Sequence, residues 1–274
     1  MPELPEVETV KNGLAKQIYG KTIKDVFVGS KKLRVPFPPK LSETLVDNKI
    51  IGLARRSKYI LVELSNKKTL VIHLGMSGRI LYKEGPYKKP EKHDHFILKF
   101  TDGSQIIFND PRRFGLVTLI ENKELNSHPL FKDLGAEPLE KGFDGKYLKK
   151  VFNKKSQPVK QALMDSHNLV GVGNIYASEA LFRTKINPVT PAGKISPAKL
   201  KELSENIKIV LKAAIRSGGS TLRDYVRSDG DVGYFQHSFK VYGREKEPCV
   251  SCGSYIKRIV QQGRSTFFCP KCQK

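Results

Sequence analysis

No cysteine precedes Cys249 in the 274-residue chain, which excludes a disulfide framework for most of it. Long apolar runs are missing too: none could span a bilayer, and no segment sets a basic face against a long apolar one. A membrane partner is therefore not expected. Internal repeats and low-complexity tracts are absent, and no signal peptide opens the chain, so a cytoplasmic location is expected. The last shortage is acid. Asp and Glu number 27 against 49 Lys and Arg, a formal net charge of +22. That excess implies a polyanionic partner, nucleic acid first, and binding that weakens as salt rises. Charge by itself carries no chemistry, and pairs such as Lys31-Lys32, Lys88-Lys89 and Lys149-Lys150 read mostly as solvated.

What cysteine there is lies at Cys249, Cys252, Cys269 and Cys272, spaced C-x2-C-x16-C-x2-C. Two tight turns at that spacing bring four thiolates to the corners of a tetrahedron, the arrangement of one structural zinc ion. Gly253 follows the second cysteine, where the turn calls for positive φ. Two disulfides are the competing reading, and the cysteine-free stretch before the cluster argues against them. So short a tail cannot bury a useful core, and metal ligation is expected to supply much of its stability.

The chain opens on a helical pattern over Pro2–Ile18, with Leu4, Val7, Val10, Leu14 and Ile18 on one face. Strand patterns follow at Thr22–Val28, Lys49–Ala54, Tyr59–Leu64, Thr69–Leu74, His95–Thr101, Ser104–Asn109 and Leu116–Ile120, punctuated by turns such as Asp102-Gly103. Seven short strands with few helices between them predict a β-sandwich or flattened barrel. After Phe131 a stretch rich in Pro, Gly and charge reads as a linker. Helical patterns then occupy Lys146–Asn153, Pro158–Asp165, Ile175–Arg183 and Pro197–Ser217, the last with Ser196 as N-cap and Gly218-Gly219 beyond its end. Two of these helices flank Gly171-Val172-Gly173-Asn174. Glycines ahead of a helix let its free amides approach an anion, so this turn is either a phosphate clamp or a plain helix–helix connection.

Chemistry at the first residues is open in the same way. Removal of Met1 would leave Pro2 with a secondary amine, and an α-amino group titrates at about 7.7–8.0. Such an amine attacks a sugar's anomeric carbon to give an iminium, an electron sink that acidifies the neighbouring C–H, and Glu3 stands beside it to move protons. The simpler alternative is that Pro and Glu start a helix well. These residues alone favour it.

The motifs taken together are more specific. PELPEVETV at the start, RRSKYILVEL around Lys58, HLGMSGR around Met76, EKHDH at 91–95, DPRRFG at 110–115, GVGNIYASEALF at 171–182, GGSTLRDYV at 218–226, VYGR at 241–244 and the four-cysteine tail follow one another in this order. With them the chain resembles, from end to end, the formamidopyrimidine-DNA glycosylase family, bacterial enzymes that excise oxidised purines such as 8-oxoguanine from duplex DNA. The resemblance implies an α+β multidomain fold. Residues 1–131 would form a catalytic β-sandwich with an N-terminal helix, and 132–145 a linker. A helix–two-turns–helix domain would occupy 146–235, with a lesion-capping loop at 217–236, and 236–274 would be a β-hairpin zinc finger.

The same resemblance implies roles. Pro2 is the nucleophile that forms a Schiff base with the sugar, and Glu3 is the proton donor. Lys58 and Arg264 assist the eliminations that cut the strand. Met76, Arg112 and Phe114 fill the void left by the extruded nucleotide, each with suitable character for wedging between bases or bonding the orphaned partner. His93, Lys155 and Asn174 contact DNA, and His73 and Lys160 are further phosphate candidates. One zinc is structural, no other cofactor is needed, a monomer suffices, and the protein would act on bacterial nucleoid DNA. Arg264 would meet Pro2 and Glu3 across the same stretch of DNA. PELPE, where endonuclease VIII-type relatives carry PEGPE, favours purine lesions over pyrimidines. A zinc-ribbon DNA-binding protein without catalysis is the rival from another class, and it leaves Pro2 idle.

Overall fold

The computed structural model describes residues 2–85, 89–219 and 239–274. Within these the chain separates into two compact units, residues 2–132 with 217–219 and residues 133–216 with 239–274.

The first unit opens with α1 (Leu4–Ile18), whose buried Val7, Val10, Leu14 and Ile18 keep the expected helical spacing. The helix starts later than the predicted Pro2. Glu3 is its N-cap, with extended backbone, and the Glu6 carboxylate accepts the Glu3 backbone N–H at 2.9 Å. Capping by a residue three positions on satisfies an amide that the helix leaves without a carbonyl.

Next come β1 (Ile23–Val28), α2 (Leu41–Leu45), β2 (Ile50–Arg56), β3 (Tyr59–Leu64), β4 (Lys68–His73), β5 (Arg79–Lys83), β6 (Asp94–Phe100), β7 (Gln105–Asn109) and β8 (Leu116–Glu121). They form two antiparallel four-stranded sheets, ordered β1-β6-β7-β5 and β2-β3-β4-β8. Alternate residues of both, including Phe96, Leu98 and Phe100 from one and Ile60, Val62 and Leu64 from the other, share a single core with α1. The expected sandwich is present, with two elements the periodicity did not show. β5 reads Arg-Ile-Leu-Tyr-Lys and becomes a strand by pairing with β7 at the sheet edge. α2 is too short to display a period.

The second unit holds α3 (Gly145–Phe152), α4 (Val159–Met164), α5 (Asn174–Thr184) and α6 (Pro197–Arg216), followed by the hairpin β9 (Lys257–Gln261) and β10 (Arg264–Phe268). Asp144 caps α3 by accepting the Tyr147 N–H at 2.8 Å, and Ser196 Oγ accepts the Lys199 N–H at 3.3 Å ahead of α6. Phe182 of α5 packs with Val241, Cys249, Ile256 and Cys269, so the hairpin region shares a small core with the helices. No helix among the described residues is long and apolar enough to cross a membrane. Residues 220–238, most of the segment expected to cap a lesion, lie outside the described residues, as do Met1 and residues 86–88.

Candidate functional site

At the start of α1, Pro2 and Glu3 are both buried and stand ahead of the first helical turn. Ser57 and Lys58 form the two-residue turn between β2 and β3, whose last pair is Arg56 opposite Tyr59. Ser57 takes φ +56°. The turn is braced from α1: Arg55 Nε donates to Glu8 Oε2 at 2.7 Å while its Nη1 donates to the Ser57 carbonyl at 2.8 Å. Lys11 closes on the other Glu8 oxygen at 2.7 Å. Burial raises the Glu8 pKa, but the hydrogen bonds and charges of Lys11 and Arg55 outweigh it, and the net shift is downward. The helix that starts after Pro2 and Glu3 thus holds the hairpin turn that carries Lys58. Glu8 and Arg55 were not expected from the sequence, since they sit 47 residues apart and no local spacing links them.

His73 ends β4 opposite Tyr59, with the two rings 4.8 Å apart, and its Nδ1 accepts the Gly75 N–H at 3.0 Å. Burial, reinforced by the charges of Lys58 and Arg34, lowers its pKa to about 4. His73, expected as a phosphate contact, is therefore held in its neutral form by its surroundings in the free protein.

Met76 lies in the turn between β4 and β5, and Arg112 and Phe114 in the loop between β7 and β8. The two segments touch at Gly75. Its φ is +66°, and a Cβ there would come within 2.5 Å of the Phe114 carbonyl carbon and the Gly115 nitrogen, so only glycine fits. Phe114 is 46% exposed, and the Arg112 guanidinium lies over its ring at 5.0 Å. An exposed phenylalanine held under an arginine is a poor core residue and a good probe of a base stack. His93 precedes β6, and its carbonyl accepts the Asp110 N–H at 3.0 Å, so it joins the same cluster.

In the second unit Asn174 begins α5 and donates to the Ser265 carbonyl at 2.9 Å. Lys155 is half-buried and donates to Asn168 Oδ1 at 2.7 Å. Lys160 is the correction. Expected to contact phosphate, it is only 1% exposed, and its ammonium donates to Asn174 Oδ1, to Thr266 Oγ1 at 2.6 Å and to the Ser265 carbonyl at 3.3 Å. These bonds tie the Asn174 turn to β10. Glu179 of α5, also unforeseen, accepts the backbone N–H groups of Lys240, Val241 and Tyr242 at 2.8–3.0 Å and anchors the chain ahead of the cysteines. Arg264, exposed, follows the Gln262-Gly263 turn, where both residues have positive φ as a tight two-residue hairpin requires.

The Sγ atoms of Cys249 and Cys272 are 3.9 Å apart, those of Cys252 and Cys269 3.5 Å, and all four lie within 4.8 Å of one another. Disulfides are excluded, since S–S bonds are about 2.05 Å. Zn–S bonds of about 2.3 Å give a tetrahedron with edges of about 3.8 Å, which these spacings fit. Amides of Ser251 and Cys272 point at Cys249 and Cys269 sulfurs at 3.4 Å, the donors a thiolate ligand needs. Gly253 has φ +73°, as the turn demanded. One structural zinc fits here.

An antiparallel sandwich led by a buried Pro-Glu pair, a helical unit and a four-thiolate hairpin define a class of multidomain zinc-finger proteins. Comparison with known proteins makes this specific. Residues 1–117 match the formamidopyrimidine-DNA glycosylase N-terminal domain, 134–226 the formamidopyrimidine-DNA glycosylase H2TH domain, and 246–274 the zinc finger found in FPG and IleRS. The formamidopyrimidine-DNA glycosylase of Cereibacter sphaeroides is 46% identical over 283 residues, covering all of both chains. Among solved structures, a Lactococcus lactis FPG mutant in complex with a Fapy-dG containing DNA superposes with a TM-score of 0.91 at 34% identity, covering both chains in full. MutM in complex with carbocyclic 8-oxo-G containing DNA gives a TM-score of 0.90 at 35% identity, likewise covering both chains. The chain belongs to the formamidopyrimidine-DNA glycosylase family and is a DNA-repair glycosylase with a zinc finger.

Proposed function

We propose that the chain is a bifunctional DNA glycosylase and AP lyase that removes oxidised purines, 8-oxoguanine and formamidopyrimidines, from duplex DNA. The observation that carries this reading is the placement of Pro2 and Glu3 together at the head of α1, the helix that braces the turn of Lys58 through Glu8 and Arg55. Lesion-containing DNA in the related FPG and MutM complexes supports the substrate class.

The chemistry follows from the residues. With Met1 removed, the Pro2 amine attacks C1′ of the damaged nucleotide, and the C1′–N bond to the base breaks; the base leaves with that electron pair and is protonated, while the Pro2 nitrogen gives up its N–H proton. Glu3 protonates the ribose ring oxygen as the sugar opens, and the electron pair of the amine then makes the iminium. This cation acidifies the C2′ proton. Loss of that proton expels the 3′ phosphate, and a second elimination expels the 5′ phosphate, leaving a one-nucleotide gap; Lys58 and Arg264 assist these steps. His93, Lys155 and Asn174 hold the backbone, while Met76, Arg112 and Phe114 occupy the vacated stack. The zinc ion supplies structure, and no step passes through it.

Borohydride added during incubation with an 8-oxoguanine duplex tests the reading. A covalent protein–DNA adduct is expected with the native chain and not with Pro2→Gly. No adduct from the native chain, with Met1 shown to be removed by intact mass, sinks the lyase assignment. Excision of 5-hydroxycytosine faster than 8-oxoguanine would move the substrate to the pyrimidine lesions.

A further inference from the structure

We propose that Asp110 is the positioning residue of the void-filling set, and that its bond to Ser77 joins the Met76 turn and the Arg112–Phe114 loop into one rigid wedge. The inference rests on the roles proposed above for Met76, Arg112 and Phe114.

Asp110 directly follows β7, and it is fully buried. One carboxylate oxygen accepts the Ser77 hydroxyl at 2.6 Å and the Arg112 backbone N–H at 3.3 Å; the other accepts the Gly115 N–H at 2.8 Å. The Ser77 oxygen also accepts the Arg112 N–H at 3.3 Å. A single side chain therefore grips the start and the end of the loop that projects Arg112 and Phe114, together with the neighbour of Met76. The backbone of Asp110 adds to this. Its N–H donates to the His93 carbonyl at 3.0 Å, and its carbonyl accepts from the Arg113 N–H at 3.2 Å and from His95 Nε2 at 3.0 Å. Arg113 is held at φ +57°, a conformation a non-glycine residue keeps only under such constraint. Four residues of the proposed DNA-facing set, Met76, His93, Arg112 and Phe114, thus belong to elements tied to Asp110.

The residue type matters. A carboxylate is acceptor-only and has room for all three donors at once. An amide of the same shape would turn an NH2 towards at least one of them. Hydrogen bonds to a buried charge are the strong kind, and a wedge that must push between stacked bases needs tips that do not yield. Phe114 and Arg112 brace each other only at the tip, by stacking; the stiffness has to come from the base of the loop, where Asp110 sits.

The test compares two duplexes. In one, 8-oxoguanine is paired with cytosine and must be driven out of the stack; in the other, a preformed abasic site offers no base to extrude. Asp110→Asn is expected to slow single-turnover excision of the paired lesion about tenfold or more, the scale of a lost charge-assisted hydrogen bond. Borohydride trapping on the abasic duplex should change by less than about threefold, because Pro2 chemistry is untouched. Ser77→Ala, which removes the 2.6 Å bond and leaves the carboxylate, should show the same selectivity with a smaller loss. If the two substrates fall equally in both variants, or neither falls, Asp110 is not a positioning residue of the wedge. A native chain that traps neither duplex would instead take down the proposed function and this assignment with it.

Discussion

Lys160 Nζ donates to Thr266 Oγ1 at 2.6 Å, bonding a residue of α4 to one of the zinc hairpin 106 positions later. This bond makes a lysine in a DNA-directed protein a strut rather than a phosphate contact, and the two roles separate experimentally. Lys160→Met removes the ammonium donor from Thr266 Oγ1 and Asn174 Oδ1 and should cost about 1–3 kcal/mol in melting experiments. The slope of log affinity against log salt should stay at the native value. Lys155→Met should instead lower that slope by about one, as loss of a phosphate contact does. A reduced slope for Lys160→Met would return it to the phosphate.

Zinc should be stoichiometric and necessary. The hairpin region's core is Phe182, Val241, Ile256 and two of the ligand cysteines, too little to fold alone. One zinc per chain is expected by elemental analysis, and chelation or Cys272→Ser should abolish lesion binding and cleavage while α1 and the sandwich keep their fold. Full activity of the zinc-free protein would contradict this dependence.

The pKa of His73 gives a pH dependence with a definite sign. Its value falls from 6.5 in the unfolded chain to about 4 in the fold, so between these limits the unfolded state holds a proton that the native state lacks. The contribution is complete above pH 6.5 and is lost as pH falls towards 4. It amounts to at most about 3 kcal/mol at 1.36 kcal/mol per pKa unit. His73→Gln does not titrate, so its stability should fall less steeply across that window; parallel pH profiles would show that His73 titrates normally.

Gly75→Ala should be among the most damaging single-methyl changes. The new Cβ would meet the Phe114 and Gly115 backbone at 2.5 Å, on a residue already at φ +66°. A loss of stability of about 1–3 kcal/mol is expected from strain and overpacking, with excision of a paired lesion falling further than abasic-site trapping. Native behaviour on both counts would mean that the two loops can part without consequence.

Glu8→Gln should loosen the Lys58 turn, because Arg55 then loses its charged partner on α1. Strand cleavage should slow more than base release, read as an increased ratio of abasic product to gapped product; an unchanged ratio would make the Glu8–Arg55 pair structural only.

Much of this protein was legible one residue at a time. The cysteine spacing specified a metal site because four ligands in two short turns need nothing from the rest of the chain. Alternation in β3 and β4, and the helical periods of α1 and α6, were readable because each element's pattern reports its own buried face. The Ser196 cap followed from local backbone chemistry. β5 and α2 escaped notice for the complementary reason. One depends on a partner strand, and the other, five residues long, ends before its pattern can repeat.

By itself, then, the sequence determined the family, the zinc ligands and most of the elements in their order, since these depend on residue type and local spacing. Tertiary structure alone decided what those residues are held by. Ser77 meets Asp110 from 33 residues away, Arg55 meets Glu8 from 47, and Lys160 meets Thr266 from 106. The physical reason is burial: a polar group enclosed by the fold must find its partner wherever the chain returns, and no local pattern records where that is.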